Sequence, residues 1–373
     1  MFEIAPPTMT RRWFLLPFTL LLSARCALPV QDTWTGVDRV VAIGDVHGDF
    51  ERFTTVLRSA SLIDEEGNWT GGKSHLVQVG DLLDRGPDSR KVLDLLMKLE
   101  PQAANAGGRV HPLIGNHEAM NVTGDFRYVP PADYESFRTA ESEKLRETAY
   151  KEMAKPGGNG DDAFRQKWDA EHPLGYFERR AMFGPEGTYG KWIRGHNAVI
   201  KIDDSIFLHG GISPKYAGYS LKKINDRVRD ELDDVQKLDG GILTDRDSPL
   251  WYRGLANGDE DALEGHVKKV LKNCGVERIV LGHTFTDGAV TPRFGGRVLM
   301  IDIGLARLYD NLGRMACLVI EKGKPYALHR GTQLELPKDS TTDMLRYLKQ
   351  AAALDPIPSS LSKRIAALES KTR

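Results

Sequence analysis

Short unbroken apolar runs recur along the chain, and each is followed within a few residues by Gly beside Asp, Asn or His. Val40-Val41-Ala42-Ile43, Leu76-Val77-Gln78-Val79, Ile206-Phe207-Leu208 and Ile279-Val280-Leu281 have the length and branched content of buried strands. Between them the period changes. Asp49 is placed to cap a helix from Phe50 to Ala60, whose Phe53, Val56, Leu57 and Ala60 share one face. Val92, Leu95, Leu96 and Leu99 form a second stripe of the same kind. This alternation predicts an α/β layered sandwich with helices over the sheets. A hairpin is expected where Asp203-Asp204 separates Val199-Ile200-Lys201-Ile202 from Ser205-Ile206-Phe207-Leu208.

From about 126 to 190 the pattern turns charged and helix-prone, broken by Gly157-Gly158-Asn159-Gly160 and Gly184-Pro185, which predicts a helical insertion. Either it is a solvated cap, or it walls a cleft with Arg127, Tyr128, Tyr176, Phe177 and Arg180 as contacts for the group carrying the substrate's polar end. After Pro337, the spacing of Met344, Leu345, Leu348, Ala351 and Leu354 predicts a peripheral helical tail over 338–373. Residues 1–28 stand apart: Thr10-Arg11-Arg12, an apolar stretch from Trp13 to Leu22 too short to span a bilayer, then small residues. They resemble an export signal of the twin-arginine type, with Met9 as an alternative start. The expectation is an exported, periplasmic bacterial protein with no stable membrane span once the signal is removed; an anchored or organellar protein is the alternative.

Composition narrows the partners. The 373 residues are 40% apolar and 28% charged, which suits one large domain, and the formal charge of -1 gives no electrostatic case for nucleic acid. Of the three cysteines, Cys26 falls near the expected cut, leaving Cys274 and Cys317 as two free buried thiols, with one disulfide as the alternative.

The chemistry lies in Gly44-Asp45-Val46-His47-Gly48, Gly80-Asp81-Leu82-Leu83-Asp84-Arg85-Gly86, Gly115-Asn116-His117-Glu118, His209-Gly210-Gly211 and Gly282-His283-Thr284. One Gly-Asp pair is ordinarily a turn. Five such sites after apolar runs form a set of oxygen and nitrogen donors without a thiolate, the set that suits Mn, Fe or Zn. His75, His111, His172, His196, His266 and His329 fall outside these motifs and are read as structural.

In this order the motifs resemble the calcineurin-like metallophosphoesterases, phosphoprotein phosphatase branch, over roughly 37–330. Gly115-Asn116-His117-Glu118-Ala119-Met120-Asn121, Gly124-Asp125-Phe126-Arg127-Tyr128-Val129 and Pro249-Leu250-Trp251-Tyr252-Arg253-Gly254 resemble the Shewanella-like protein phosphatases in particular. Ile114 before Gly115, and the lack of Ser-Ala-Pro-Asn-Tyr-Cys after His283, depart from eukaryotic Ser/Thr phosphatases. The resemblance implies two packed mixed sheets in a domain over 37–335 and two transition-metal ions, divalent or mixed-valence. Asp45 and His47 would hold the first ion, Asp81 would bridge, and Asn116, His209 and His283 would hold the second. It further implies Arg85 and Arg253 as phosphate clamps, assisted by Asn116, and His117 as the acid for the leaving oxygen, oriented by Asp84.

The expected function is hydrolysis of phosphomonoesters on phosphorylated proteins or peptides, with a metal-activated hydroxide as nucleophile; some similar proteins prefer phosphotyrosine. A dinucleotide polyphosphate or nucleotide pyrophosphohydrolase is the rival, and a non-catalytic metal-bearing scaffold is a third reading.

Overall fold

The computed structural model describes residues 30–153, 162–234, 238–311, 313–338 and 340–372. The segment expected to direct export, with Cys26, and the glycine run 157–160 lie outside them. Two six-stranded mixed sheets carry the fold. One is built from β1 (Thr33–Trp34), β5 (Val199–Ile202), β6 (Ser205–Leu208), β7 (Arg278–Leu281), β8 (Thr291–Arg293) and β9 (Val298–Met300), in the spatial order β1-β5-β6-β7-β9-β8. The other comprises β2 (Arg39–Ile43), β3 (His75–Gln78), β4 (Arg109–Pro112), β10 (Ala316–Glu321), β11 (Lys324–His329) and β12 (Thr332–Glu335), ordered β12-β11-β10-β2-β3-β4.

The inner strands β2, β6, β7 and β10 are mainly apolar because both of their faces are covered. Val41 and Ile43 turn to the helical side with Phe53, Leu57 and Leu96, while Val40 and Ala42 join Phe207, Val280 and Leu318 in the layer between the sheets. Helices α1 (Phe50–Ser59) and α2 (Ser89–Asn105) bury the expected stripes, and the Asp49 side chain accepts the Arg52 backbone N–H at 3.2 Å as the cap of α1. After α3 (Asn116–Thr123) come the insertion helices α4 (Pro131–Glu135), α5 (Ser142–Met153), α6 (Asp162–Glu171), α7 (Tyr176–Phe183) and α8 (Thr188–Arg194). Helices α9 (Leu221–Asp233), α10 (Gly254–Asn257) and α11 (Glu260–Cys274) follow, the first and last burying Ile224, Val228, Val267 and Val270. The Asp203-Asp204 turn joins β5 and β6 as an antiparallel pair, with Asp203 at φ 48°.

After Pro337, where the spacing predicts one helix, the chain forms two, α12 (Thr341–Leu354) and α13 (Ser362–Thr372). Tyr347, Leu348 and Ala351 join the inter-sheet core, and the Tyr347 hydroxyl donates to the Val290 carbonyl at 2.9 Å. Cys274 and Cys317 are free thiols, Cys317 buried and Cys274 half-buried. Among the described residues no helix is long and apolar enough to cross a membrane.

The paired strands β3 and β4 place His75 Nδ1 3.1 Å from His111 Nε2, under the Trp34 ring, whose centroid is 4.4 Å from that of His111. Burial, reinforced by Arg109, lowers His75 to about 4, and burial, with His75, holds His111 well below its ordinary value. In the unfolded chain both titrate near 6.5. Folding therefore favours the neutral forms, and this contribution, full above pH about 6.5, is lost as the pH falls toward 4. Replacing both by Gln is expected to flatten the fall of Tm across that window in calorimetric scans. An unchanged slope would exclude this pair as a source of acid sensitivity.

Candidate active site

β2, β3 and β4 run parallel to one another, as do β6, β7 and β9, so their carboxyl ends open at common edges. Asp45, Asp81, Asn116, His209 and His283 all stand within four residues after such a strand. This is where open α/β sheets place ligands, on loops whose bases are fixed by the sheet. His47, Asp81, Asp84, Arg85 and His283 have φ between 46° and 68°, a left-handed backbone that non-glycine residues adopt only when their surroundings enforce it. Gly115 is required by close approach, since a Cβ there would stand 2.6 Å from the Asp81 nitrogen.

Two buried side chains lock these loops together. The Glu118 carboxylate accepts the N–H groups of Asp81, Leu82 and Gly115 at 2.7, 2.8 and 2.8 Å. The Gln78 amide donates to the carbonyls of Gly44 and Gly80 and accepts from the Gly80 N–H. Burial, then the Asp81 charge, raises Glu118 to about 7 even so.

The imidazoles are oriented by carbonyls. His47 Nδ1 lies 2.9 Å from the Leu83 oxygen and His209 Nδ1 3.0 Å from that of Val79, so those nitrogens donate and each Nε2 faces the cleft. His283 is reversed: Nε2 donates to the Trp251 carbonyl at 3.1 Å, leaving Nδ1 free of that bond. Burial holds His47 down at about 3 and, with His209, His283 at about 2, so both are neutral imidazoles at pH 7.

Asp81 is common to two donor sets. His47 Nε2 stands 3.8 Å from both Asp45 Oδ2 and Asp81 Oδ2. On the other side, His209 Nε2 lies 3.2 Å from Asp81 Oδ2 and 2.9 Å from Asn116 Oδ1. Donor atoms of His47, Asp81 and His117, and separately of Asp81, His209 and His283, lie within 4.8 Å of one another. Two clusters of oxygen and imidazole nitrogen donors sharing one carboxylate fit a pair of divalent cations.

His117 Nδ1 is 2.6 Å from Asp84 Oδ2, and Asn121 donates to both Asp84 oxygens at 3.0 Å. Burial works against a charged His117, but Asp81 and Asp84 outweigh it and its pKa is raised. Arg85 and Arg253 reach the same cleft, a cavity of about 220 Å³. Arg85 donates to the Tyr309 hydroxyl, stands 3.5 Å from His117 Nε2, and lies 5.5 and 5.6 Å from the Tyr128 and Tyr309 ring centroids. Arg253 donates to the His283 carbonyl and to Thr284 Oγ1 at 3.0 Å.

Several residues in and behind the cleft escaped the sequence reading. Asp302 is buried beside Asp45, and burial raises it to about 6 while it helps to raise Asp45. It stands two residues after β9, next to an apolar run and just before Gly304, the signal that marked Asp45. Tyr309 and Phe285 stack at 5.5 Å on the rim. Arg179 of α7 is wholly buried, bonded through Nε to Asp133 at 2.9 Å and 3.8 Å from Asp84 Oδ1. Of the insertion residues expected at the cleft, only Tyr128 lines it. Tyr176 and Phe177 pack with His172, Arg127 pairs with Asp125, and Arg180 lies over Phe126, because the insertion uses its aromatics to build its own core.

The calcineurin-like phosphoesterase family model matches residues 38–287. The chain is 32% identical over 284 residues to Shewanella-like protein phosphatase 2 of Arabidopsis thaliana, covering 72% of each. It is 26% identical to Shewanella-like protein phosphatase 1 of Plasmodium berghei, over 75% of this chain and 70% of that one. The solved structure of a cold-active protein-tyrosine phosphatase of a psychrophilic Shewanella species matches with TM-score 0.64 and 30% identity, covering 82% of both chains. A dinuclear donor set at parallel strand ends, on a sandwich shared with these proteins, makes this chain a metallophosphoesterase of the calcineurin-like family, in the Shewanella-like protein phosphatase group.

Proposed function

We propose that this enzyme hydrolyses phosphomonoesters on phosphorylated proteins or peptides, with phosphotyrosine preferred. The supporting observation is the cleft itself, where a shared Asp81, the His117–Asp84 pair and two guanidinium groups converge under a rim of Tyr128, Phe285 and Tyr309. Such a rim suits an aromatic leaving group, and a relative of similar fold is named a tyrosine phosphatase. Asp45, His47, Asp81, Asn116, His209 and His283 would hold two transition-metal ions, Mn, Fe or Zn, which when bound supply an activated water and offset phosphoryl charge.

The chain's own groups do the rest. Arg85 and Arg253 hold the phosphoryl oxygens from two sides, with the Asn116 amide beside them. The P–O bond to the leaving group breaks as water's oxygen bonds to phosphorus, and His117 Nε2 gives its proton to the departing oxygen while Asp84 holds Nδ1. Nucleic acid is not a substrate in this reading, and residues 1–28 direct export to the periplasm. Lys at both Arg11 and Arg12 is expected to retain the chain in the cytoplasm of a bacterial host, and normal export of that variant would replace the twin-arginine route by an ordinary secretory one.

Side-by-side turnover with manganese tests the substrate. Phosphotyrosyl peptide is expected to outrun phosphoseryl peptide, and both to outrun diadenosine tetraphosphate; faster cleavage of the anhydride would overturn the proposal. Arg85→Ala is expected to lower kcat/KM by roughly 100- to 1,000-fold, with Lys restoring only part because an ammonium lacks the paired contact. Arg253→Ala should lose less, and inorganic phosphate should inhibit both variants more weakly than the parent. Unchanged phosphate inhibition in Arg253→Ala would place that arginine outside phosphate recognition.

A further inference from the structure

A second groove of about 360 Å³ adjoins the catalytic cleft and shares Tyr128 and Trp251 with it. Its floor is apolar, made by Ala119 and Met120 of α3, by Leu243 and by the Trp251 ring, whose Nε1 is fixed to the Leu243 carbonyl at 2.7 Å. The same α3 opens with Asn116 and His117, so groove and catalytic loops are held as one rigid unit. The lining charges are unequal. Asp125 and Arg127 neutralise each other through paired contacts, whereas Arg246 is exposed and makes no ion pair among the described residues. An apolar floor with one uncompensated cation at its edge matches an acidic side chain laid on its own methylenes.

We propose that this groove is the subsite for the polypeptide flanking the phosphoresidue, and that Arg246 selects acidic residues there. The inference rests on the phosphoprotein reading above. Two shared walls mean that a group in the groove is a close neighbour of a phosphoryl group in the cleft, as successive side chains of an extended peptide are. Free phosphotyrosine fills the cleft and leaves the groove empty, so the subsite acts on peptides alone.

The experiment compares phosphotyrosyl peptides bearing glutamates or lysines on both sides of the phosphoresidue, together with free phosphotyrosine, on the full manganese-loaded chain. The parent should favour the acidic peptide by about three- to tenfold in kcat/KM, through KM, and the preference should shrink at high salt, since a rim charge acts through a screened field. Arg246→Glu should abolish or reverse it while free phosphotyrosine is unaffected. Thr123→Trp, which fills the groove from α3, should weaken both peptides and spare the free amino acid. An acidic preference that survives Arg246→Glu, or no preference in the parent, overturns the subsite while leaving the phosphatase reading intact. Cleavage of diadenosine tetraphosphate with no turnover of either peptide or of phosphotyrosine overturns both.

Discussion

Asp81→Asn is expected to strip bound metal and to lower kcat by about a thousandfold or more on every phosphoester. Losing the one carboxylate common to both donor sets weakens both ions at once, and several kcal/mol of barrier corresponds to that factor. Asparagine keeps the size of the side chain and an oxygen able to accept the His117 backbone N–H, which Asp81 Oδ1 accepts at 3.0 Å. The backbone N–H of residue 81 still meets Glu118. Folding should therefore persist, and circular dichroism of metal-free parent and variant should coincide. Elemental analysis of the purified proteins is the decisive measurement. Full metal content in an inactive Asp81→Asn protein would remove the bridging role, and an active parent without transition metal would remove the dinuclear scheme altogether.

The candidate metal-donor motifs could be picked out together because their information is local. A buried strand leads within a few residues to a donor beside a glycine at Asp45, Asp81, His209 and His283, and the turn that aims the side chain is encoded beside it. The layered fold was legible for a related reason: strands covered on both faces read as continuous apolar runs, and the helices between them as stripes. Asp302 carried the same signal in a weaker form, after a strand of only three residues, with Ile301 and Ile303 on either side making it look like a polar interruption of a core run. Glu118 lay inside a recognised motif, but three backbone N–H groups converging on its carboxylate are a property of folded loops.

Arg179 was beyond sequence reasoning. Its approach to Asp84 depends on how the insertion closes over α3, and the rings of Phe126 and Phe183, 4.8 and 4.5 Å from its guanidinium carbon, are what make that burial tolerable. Tyr309 likewise reaches Arg85 only through the three-dimensional path of the loop after β9. Of the two readings of the insertion, the one that brought Tyr176, Phe177 and Arg180 to the cleft is not the arrangement found, because composition reveals an aromatic-rich insertion without revealing which face it turns inward.

His117→Asn is expected to lose roughly 100- to 10,000-fold in kcat on esters with poor leaving groups while retaining its metal, the range over which a positioned acid contributes. The geometry makes this the sharpest test of the site. His117 Nε2 lies 3.8 Å from Asp81 Oδ2, within the same donor cluster as His47, and a histidine whose other nitrogen is held by a carboxylate is also how a metal ligand is oriented. The two roles separate by leaving group. A proton donor matters most when the departing oxygen is basic, so an activated aryl phosphate, which departs without protonation, should lose far less than a phosphotyrosyl peptide. A ligand matters equally for both and its loss lowers metal content. Asp84→Asn should reproduce the same leaving-group dependence in milder form, because it weakens the hold on His117 Nδ1 and leaves the imidazole itself in place. The loop should survive that change, since an amide oxygen at position 84 can still accept from Asn121, which donates to both oxygens of Asp84. Equal losses on both substrates, accompanied by reduced metal in His117→Asn, would reassign His117 from proton donor to ligand.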